Sequence, residues 1–281
     1  MTRSSTGRTS ELPRVTPHPL EIVAGSLSFG GRQLWHRVNL AVRPGEFVAV
    51  LGPNGSGKSS LLKAILGRQA LDSGQIRVHG RQAGRGNRSI GYIPQQSPLP
   101  SGTPLRARDL VGLGIDGHRW GPGLPSRAQR RRRVDALLDS VGAASYANVP
   151  VAELSGGEQQ RLRVGQALAG SPSLLLCDEP LLSLDLQHQR VVSELIDRHR
   201  RTSGAAVLFV THDINPVLGM VDRVLYLVHG RFRIGTADEV FRSDVLTELY
   251  GTTVEVFRAG GRLVVAGAPD SHHGAIDGSS R

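Results

Sequence analysis

Gly52-Pro53-Asn54-Gly55-Ser56-Gly57-Lys58-Ser59 separates an apolar run, Phe47 to Leu51, from a segment with helical character that opens near Lys58. A glycine-rich turn that leaves a strand and enters a helix with Lys-Ser is the full pattern of a phosphate-binding loop. Gly52, Gly55 and Gly57 let the backbone wrap tightly, so that amide N–H groups converge on an anion at the positive end of the helix. Every position from Gly52 through Pro53, Asn54, Ser56 and Ser59 to Ser60 is therefore expected to line a nucleotide. Lys58 supplies a point charge for the β- and γ-phosphates, and Ser59 a hydroxyl for Mg²⁺.

A second site lies downstream. Leu174-Leu175-Leu176-Cys177 is an apolar run ending in Asp178 and Glu179. Carboxylates at the carboxyl edge of a sheet suit a hydrated Mg²⁺, which assigns Asp178 to the metal. Neighbouring side chains on an extended strand point apart, so Glu179 is expected to face the attacking water as general base. The alternative is that Asp-Glu-Pro merely turns the chain at a strand end. Cys177 reads as a small buried hydrophobe.

Further strand-length runs occur at Ile90 to Ile93, Ala206 to Val210 and Val224 to Val228, with helical segments between several of them. This alternation predicts an α/β fold with parallel strands at the centre of its sheet. From Thr103 to Pro150 the rhythm breaks into helical patterns interrupted by Gly121-Pro122-Gly123 and Leu124-Pro125, which predicts a helical lobe inserted over about 100–170. A short strand at Arg231 to Ile234, helices near Ala237 to Tyr250 and a hairpin of Thr253 to Phe257 with Leu263 to Val265 follow. The expected organisation is a disordered arm over 1–18, a folded domain over 19–268 and a disordered tail over 269–281, because both ends are polar and lack apolar periodicity.

Composition narrows the class. The chain has 281 residues, one cysteine and a formal charge of +10. One cysteine excludes an internal disulfide framework. No apolar stretch approaches the roughly 20 residues of a membrane-spanning helix, and the polar start lacks the apolar core of a signal peptide, so a cytoplasmic location is expected. The charge would suit a phosphate-bearing partner, but it is nearly all arginine and evenly spread, so nucleic acid is not the expected partner. The dense run Arg130 to Arg133 precedes an apolar helical pattern at Val134, Leu137, Leu138 and Val141, and reads as a solvated helix start.

Leu154-Ser155-Gly156-Gly157-Glu158-Gln159 distinguishes among phosphate-loop enzymes. With the phosphate loop before it and the acidic strand after it, this run resembles the signature motif of ATP-binding-cassette (ABC) ATPases. Ser155 offers a hydroxyl, Gly156 and Gly157 expose backbone N–H groups, and a helix beginning there aims its positive end at an anion. The resemblance covers about Pro19 to Val265. It implies the ABC ATPase fold, with a mixed sheet core, an antiparallel β subdomain and an inserted helical subdomain. It also implies ATP and Mg²⁺ as ligands, hydrolysis of ATP, and two chains closing head to tail so that Ser155, Gly156, Gly157 and Glu158 meet the γ-phosphate held by the other copy.

By the same resemblance, Gln95 reaches Mg²⁺ and water and links the site to a membrane permease, Asp185 in Ser183-Leu184-Asp185 speaks across the dimer, and His212 contacts the γ-phosphate and orients Glu179. Phe29 matches the aromatic that stacks on adenine, a core phenylalanine being the alternative. Glu158, Gln166 and Leu181-Leu182 depart from the commoner residues. A permease helix is expected to dock near Ser97 to Leu110, placing the chain at the cytoplasmic face of the membrane, with an extracytoplasmic substrate-binding protein as an indirect partner. Thr211-His212-Asp213-Ile214-Asn215-Pro216, Asp222 to Tyr226, Leu249-Tyr250-Gly251 and Val254-Glu255-Val256 resemble the zinc and manganese importer branch; iron-siderophore and cobalamin importers are the alternatives. A DNA-repair or chromosome ABC ATPase would need a long coiled-coil or zinc insertion between Gln95 and Ser155. A ribosome-acting member would need two motif sets. His272 and His273 read as incidental.

Overall fold

The computed structural model describes residues 17–95, 104–117 and 126–267. The chain opens with a hairpin of β1 (Leu20–Phe29) and β2 (Arg32–Val42), turned by Gly30 and Gly31 at φ 58° and 78°. Positive φ at both positions of a two-residue turn matches the natural twist of the strands, and glycine takes it without strain. Next, β3 (Phe47–Leu51) ends in the phosphate loop, from which α1 (Lys58–Ile65) starts. The strands β4 (Ser73–Val78) and β5 (Arg81–Gln82) complete an antiparallel sheet of order β2-β1-β4-β5.

The edge strand β6 (Ile90–Ile93) is followed by three helices, α2 (Ala107–Asp116), α3 (Arg127–Ser140) and α4 (Gly156–Leu168), before the chain returns as β7 (Leu174–Asp178). Then come α5 (Leu186–Ser203), β8 (Ala206–Val210), β9 (Arg223–Val228) and β10 (Arg231–Gly235). The second sheet has the order β10-β9-β3-β8-β7-β6 and is parallel except for β10. Two short helices, α6 (Ala237–Val240) and α7 (Ser243–Tyr250), lead to a hairpin of β11 (Glu255–Ala259) and β12 (Arg262–Ala266).

The apolar runs of the sequence are continuous because both faces of the central strands are covered. Phe47, Ala49, Leu175, Cys177, Val207 and Phe209 face the core shared with α2 to α5. Val48, Val50, Leu174, Leu176, Leu208 and Val210 face a second core, where Leu61, Leu62 and Ile65 of α1 fill the space beneath the antiparallel sheet. Full burial of each valine, leucine, isoleucine or phenylalanine among them contributes about 1.5–3 kcal/mol. The same alternation sends the phosphate-loop helix to one face and the signature helix α4, through Leu162 and Val164, to the other.

Two expectations change in detail. The arginines before Val134 lie in the first turns of α3, and Arg131 to Arg133 are exposed as a solvated helix start requires, but two also bond to neighbours: Arg130 pairs with Asp116 of α2, and Arg133 donates to the Ala169 carbonyl just past α4 at 3.1 Å. The first strand of the C-terminal hairpin begins at Glu255, not Thr253, because the Thr247 hydroxyl accepts from the Val254 N–H (3.0 Å) and donates to its carbonyl (3.2 Å). The hairpin itself is pinned to the loop after His212. Asn215 donates to the Leu263 carbonyl (2.9 Å) and accepts from the Leu263 N–H (2.8 Å), as a neighbouring strand would. Of the expected terminal segments only 17 and 18 fall within the described residues. Gly121 to Pro125, Ser97 to Thr103, His272 and His273 lie outside them.

Candidate nucleotide site

Gly52 leaves β3 at φ 145°, and a Cβ on it would lie 2.0 Å from the Leu227 carbonyl oxygen of β9. Only glycine lets the loop lie this close to the neighbouring strand. Gly57, at φ 94°, precedes α1 and rests on the Trp35 indole, with no side chain capping the helix. The first N–H groups of α1 are thus left for a ligand. Lys58 is 6 % exposed and its Nζ donates to the carbonyls of Gly52 (2.7 Å) and Pro53 (3.1 Å), which holds the ammonium inside the loop. Burial lowers its pKa, opposed by the charges of Glu179 and Asp178. The Ser56 hydroxyl is buried with no partner. A buried hydroxyl without a partner costs roughly 1–3 kcal/mol, which a phosphate oxygen would offset. These features fit a nucleoside triphosphate.

Asp178 ends β7 beside the loop. Its Oδ1 accepts from Ser59 Oγ at 3.0 Å and its Oδ2 from the Tyr92 hydroxyl at 3.1 Å. A hydroxyl and a carboxylate beside a phosphate loop fit Mg²⁺, which keeps several waters and takes few protein ligands beside nucleotides. Among the described residues no cluster of three or more His, Cys, Asp or Glu could hold a metal ion. Burial, with the adjacent Asp178 charge, pushes the Tyr92 hydroxyl up to about 12, so it stays a donor. Cys177 is fully buried, and burial raises its thiol pKa far out of the reactive range.

Glu179 is not part of the strand. Its φ of 45° turns the chain, with its N–H donating to the Val210 carbonyl at 3.0 Å. The left-handed turn begins at Glu179 itself, just past the end of β7, so strand alternation does not set the direction of its side chain. His212 lies just past β8 with Nδ1 3.9 Å from Glu179 Oε2, an ion-pair distance beyond hydrogen-bond length. Gln95 is exposed two residues past β6. Phe29, at the tip of the first hairpin, is 72 % exposed, which removes the alternative of a core phenylalanine.

The signature turn is built differently. Ser155 caps α4 by accepting from the Glu158 N–H (3.3 Å), and Glu158 Oε2 accepts from the Ser155 N–H (2.9 Å) and hydroxyl (2.8 Å). This reciprocal capping box satisfies donors at the helix start. The departure at Glu158 thus has a local role: those hydrogen bonds hold its carboxyl below its usual pKa. Ser155 and Gly156 are exposed, while Gly157 is buried. Asp185 caps α5 through the His188 N–H at 2.8 Å, and this hydrogen bond, with a second to the His188 ring, lowers its pKa.

Motif reading missed four contributors: Tyr92 on Asp178, Trp35 beneath Gly57, the Leu227 carbonyl against Gly52, and His188 against Gly157. Tyr92 carried a signal, since a tyrosine in a strand beside the acidic strand can reach its end. The rest meet their glycines only through tertiary packing.

Comparison with known proteins follows the same lines. The family described as ABC transporter matches residues 35–182. The Fe(3+) ions import ATP-binding protein FbpC of Streptomyces coelicolor is 41 % identical over 231 residues, covering 80 % of this chain; this chain spans 64 % of that relative's length. The zinc import ATP-binding protein ZnuC of Paramagnetospirillum magneticum is 34 % identical over 253 residues, covering 90 % of this chain and 88 % of its own. Among solved structures, the dimeric post-hydrolysis state of the ATP-binding cassette MJ0796, bound to ADP and Pi, superposes with a TM-score of 0.67 at 28 % identity, covering 77 % of this chain and 98 % of the other. A cassette-type mixed sheet, a phosphate loop backed by an acidic strand end and a match through both place the sequence in one lineage: the chain belongs to the ABC transporter family.

Proposed function

We propose that this chain is the ATP-binding and hydrolysing subunit of an ABC importer, acting as a head-to-tail pair of copies beneath a membrane permease. The observation that carries this reading is the gathering of Lys58, Ser59, Asp178 and Glu179 at the carboxyl edge of one sheet, while the Ser155 turn stands exposed on a helix of the opposite face. The residues from Gly52 to Ser60 cradle the triphosphate, Phe29 stacks on the base, and Lys58 neutralises the β- and γ-phosphates. Ser59 and Asp178, with Gln95, hold Mg²⁺, which when bound supplies charge neutralisation at the phosphate oxygens. Glu179 positions the attacking water and takes its proton, with His212 steering its carboxylate. Ser155, Gly156, Gly157 and Glu158 of the second copy, with its Asp185, seal the pocket. Phosphoryl transfer asks mainly for positioning and electrostatics, which suits a site built from backbone N–H groups and one ammonium.

Glu179→Gln keeps the shape and removes the base. Its turnover should fall by about 10²–10⁴, the usual worth of a positioned acid-base group. ATP affinity should hold, and ATP should drive a stable dimer seen by sedimentation. A monomeric variant that binds ATP and hydrolyses it at the wild-type rate overturns the reading.

The cargo reading rests on likeness to relatives. Similarity to the zinc importer subunit along nearly the full length of both chains supports a divalent metal ion, zinc, and the motif resemblance to the zinc and manganese branch keeps manganese beside it. The second reading, ferric iron, rests on the higher identity of the Streptomyces relative. Cellular metal content in a strain lacking the gene separates them: low zinc or manganese supports the first, low iron the second. No helix among the described residues is long and apolar enough to cross a membrane. In this reading permease subunits provide the membrane path, hold the chain at the cytoplasmic membrane face and relay a substrate-binding protein's signal. Gln95 and the described part of the docking segment, 104–110, form the surface to test by pulldown.

A further inference from the structure

His188 belongs to no motif read from the sequence, yet it touches two elements assigned to the partner's nucleotide. A Cβ on Gly157 would lie 2.0 Å from His188 Cδ2, 2.5 Å from Cγ and 2.7 Å from Nε2, so the imidazole fills the place of a side chain at the signature turn. Its Nδ1 lies 2.8 Å and 2.9 Å from the two carboxylate oxygens of Asp185, and its N–H donates to Asp185 Oδ1 at 2.8 Å. One ring thus sits between the N-termini of α4 and α5, in van der Waals contact with one and hydrogen-bonded to the loop before the other.

We propose that His188 is a positioning residue that ties the signature turn to the loop 183–185 of the same protomer, so that Ser155 and Asp185 approach the second copy's nucleotide as one rigid unit. This rests on the shared-pocket reading above. The reason is mechanical. Two exposed helix starts held only by their own caps would move independently, whereas a ring packed on Gly157 and bonded to Asp185 passes a shift of either to the other. Glycine at 157 is then required by the ring as well as by the approach of phosphate.

The test uses the full chain and four variants: His188→Ala, His188→Asn, Gly157→Ala, and Gly157→Ala with His188→Ala. His188→Ala should lower kcat about 10-fold, the scale of a small misplacement of groups at a reacting centre, without changing ATP affinity of the single chain. His188→Asn, which keeps an N–H toward Asp185, should recover most of the loss. Gly157→Ala should be worse than His188→Ala, and removing the ring from it should restore turnover toward the His188→Ala level. A merely structural histidine would shift the melting temperature without this split or this suppression. Wild-type kcat in His188→Ala, or equal impairment of Gly157→Ala with and without the ring, overturns the proposal. In the Glu179→Gln background, absence of an ATP-driven dimer sinks the shared pocket and this inference with it. A dimer that forms as tightly with His188→Ala added sinks the inference alone.

Discussion

The phosphate loop and the signature turn are both glycine-bearing starts of helices, and they are finished in opposite ways. At the loop, α1 has no side-chain cap, Ser56 and Lys58 are buried, and the backbone rests on a carbonyl of β9 and an indole of β2. At the signature turn, Ser155 is exposed and the helix start is closed by its own Glu158. The first site is held by the interior and left open for an anion. The second is satisfied locally, by hydrogen bonds within its own turn. A preorganised site binds first because its ordering cost is met by the fold; a self-capped one responds later.

The sharpest way to break this contrast is Gly52→Ala. At φ 145°, with a Cβ 2.0 Å from a backbone oxygen, the loop must move, and the cost should exceed about 4 kcal/mol, the range of severe single substitutions. Chemical denaturation checks this; a near-native midpoint would show that the interior does not hold the loop. Ser155→Ala should cost far less, about 1 kcal/mol for a lost cap. It should leave single-chain ATP affinity unchanged while weakening the ATP-driven dimer of the Glu179→Gln chain. Equal damage to binding by the single chain would erase the division of labour.

The smallest effect is at Glu158. Its folded pKa is depressed below 4.5 by the Ser155 N–H and hydroxyl. A depressed carboxylate stabilises fully above its unfolded value and loses that contribution as pH falls through the folded one. Melting curves of wild type and Glu158→Gln should therefore differ by a constant amount near neutrality, begin to approach each other as pH falls past about 4.5, and converge only below the lower folded value, where the carboxyl is protonated in both states. Curves that stay parallel into acid would mean that the charge of Glu158 does not hold the cap.

Much of the fold was legible because its signals are local. Phe47 to Leu51, Ile90 to Ile93 and Ala206 to Val210 form the strands their apolar runs predict, and Ser155 caps the helix its motif announces. Alternation predicts strand at Thr253, but the Thr247 bracket that holds Val254 to the end of α7 leaves no mark in a period-two pattern. Alternation describes extended chain only and so predicts strand through Glu179, whereas a left-handed turn at a non-glycine residue has no compositional sign.

The sequence by itself determined the loop, the acidic strand end, the signature turn and their order along the chain, since glycine placement, apolar period and capping residues act within a few positions of themselves. Only the tertiary structure decided that Tyr92 reaches Asp178, that Trp35 supports Gly57 and that His188 fills the space beside Gly157. Those contacts join residues far apart in the chain, and they depend on sheet register and helix packing, which arise when both cores close around the central strands.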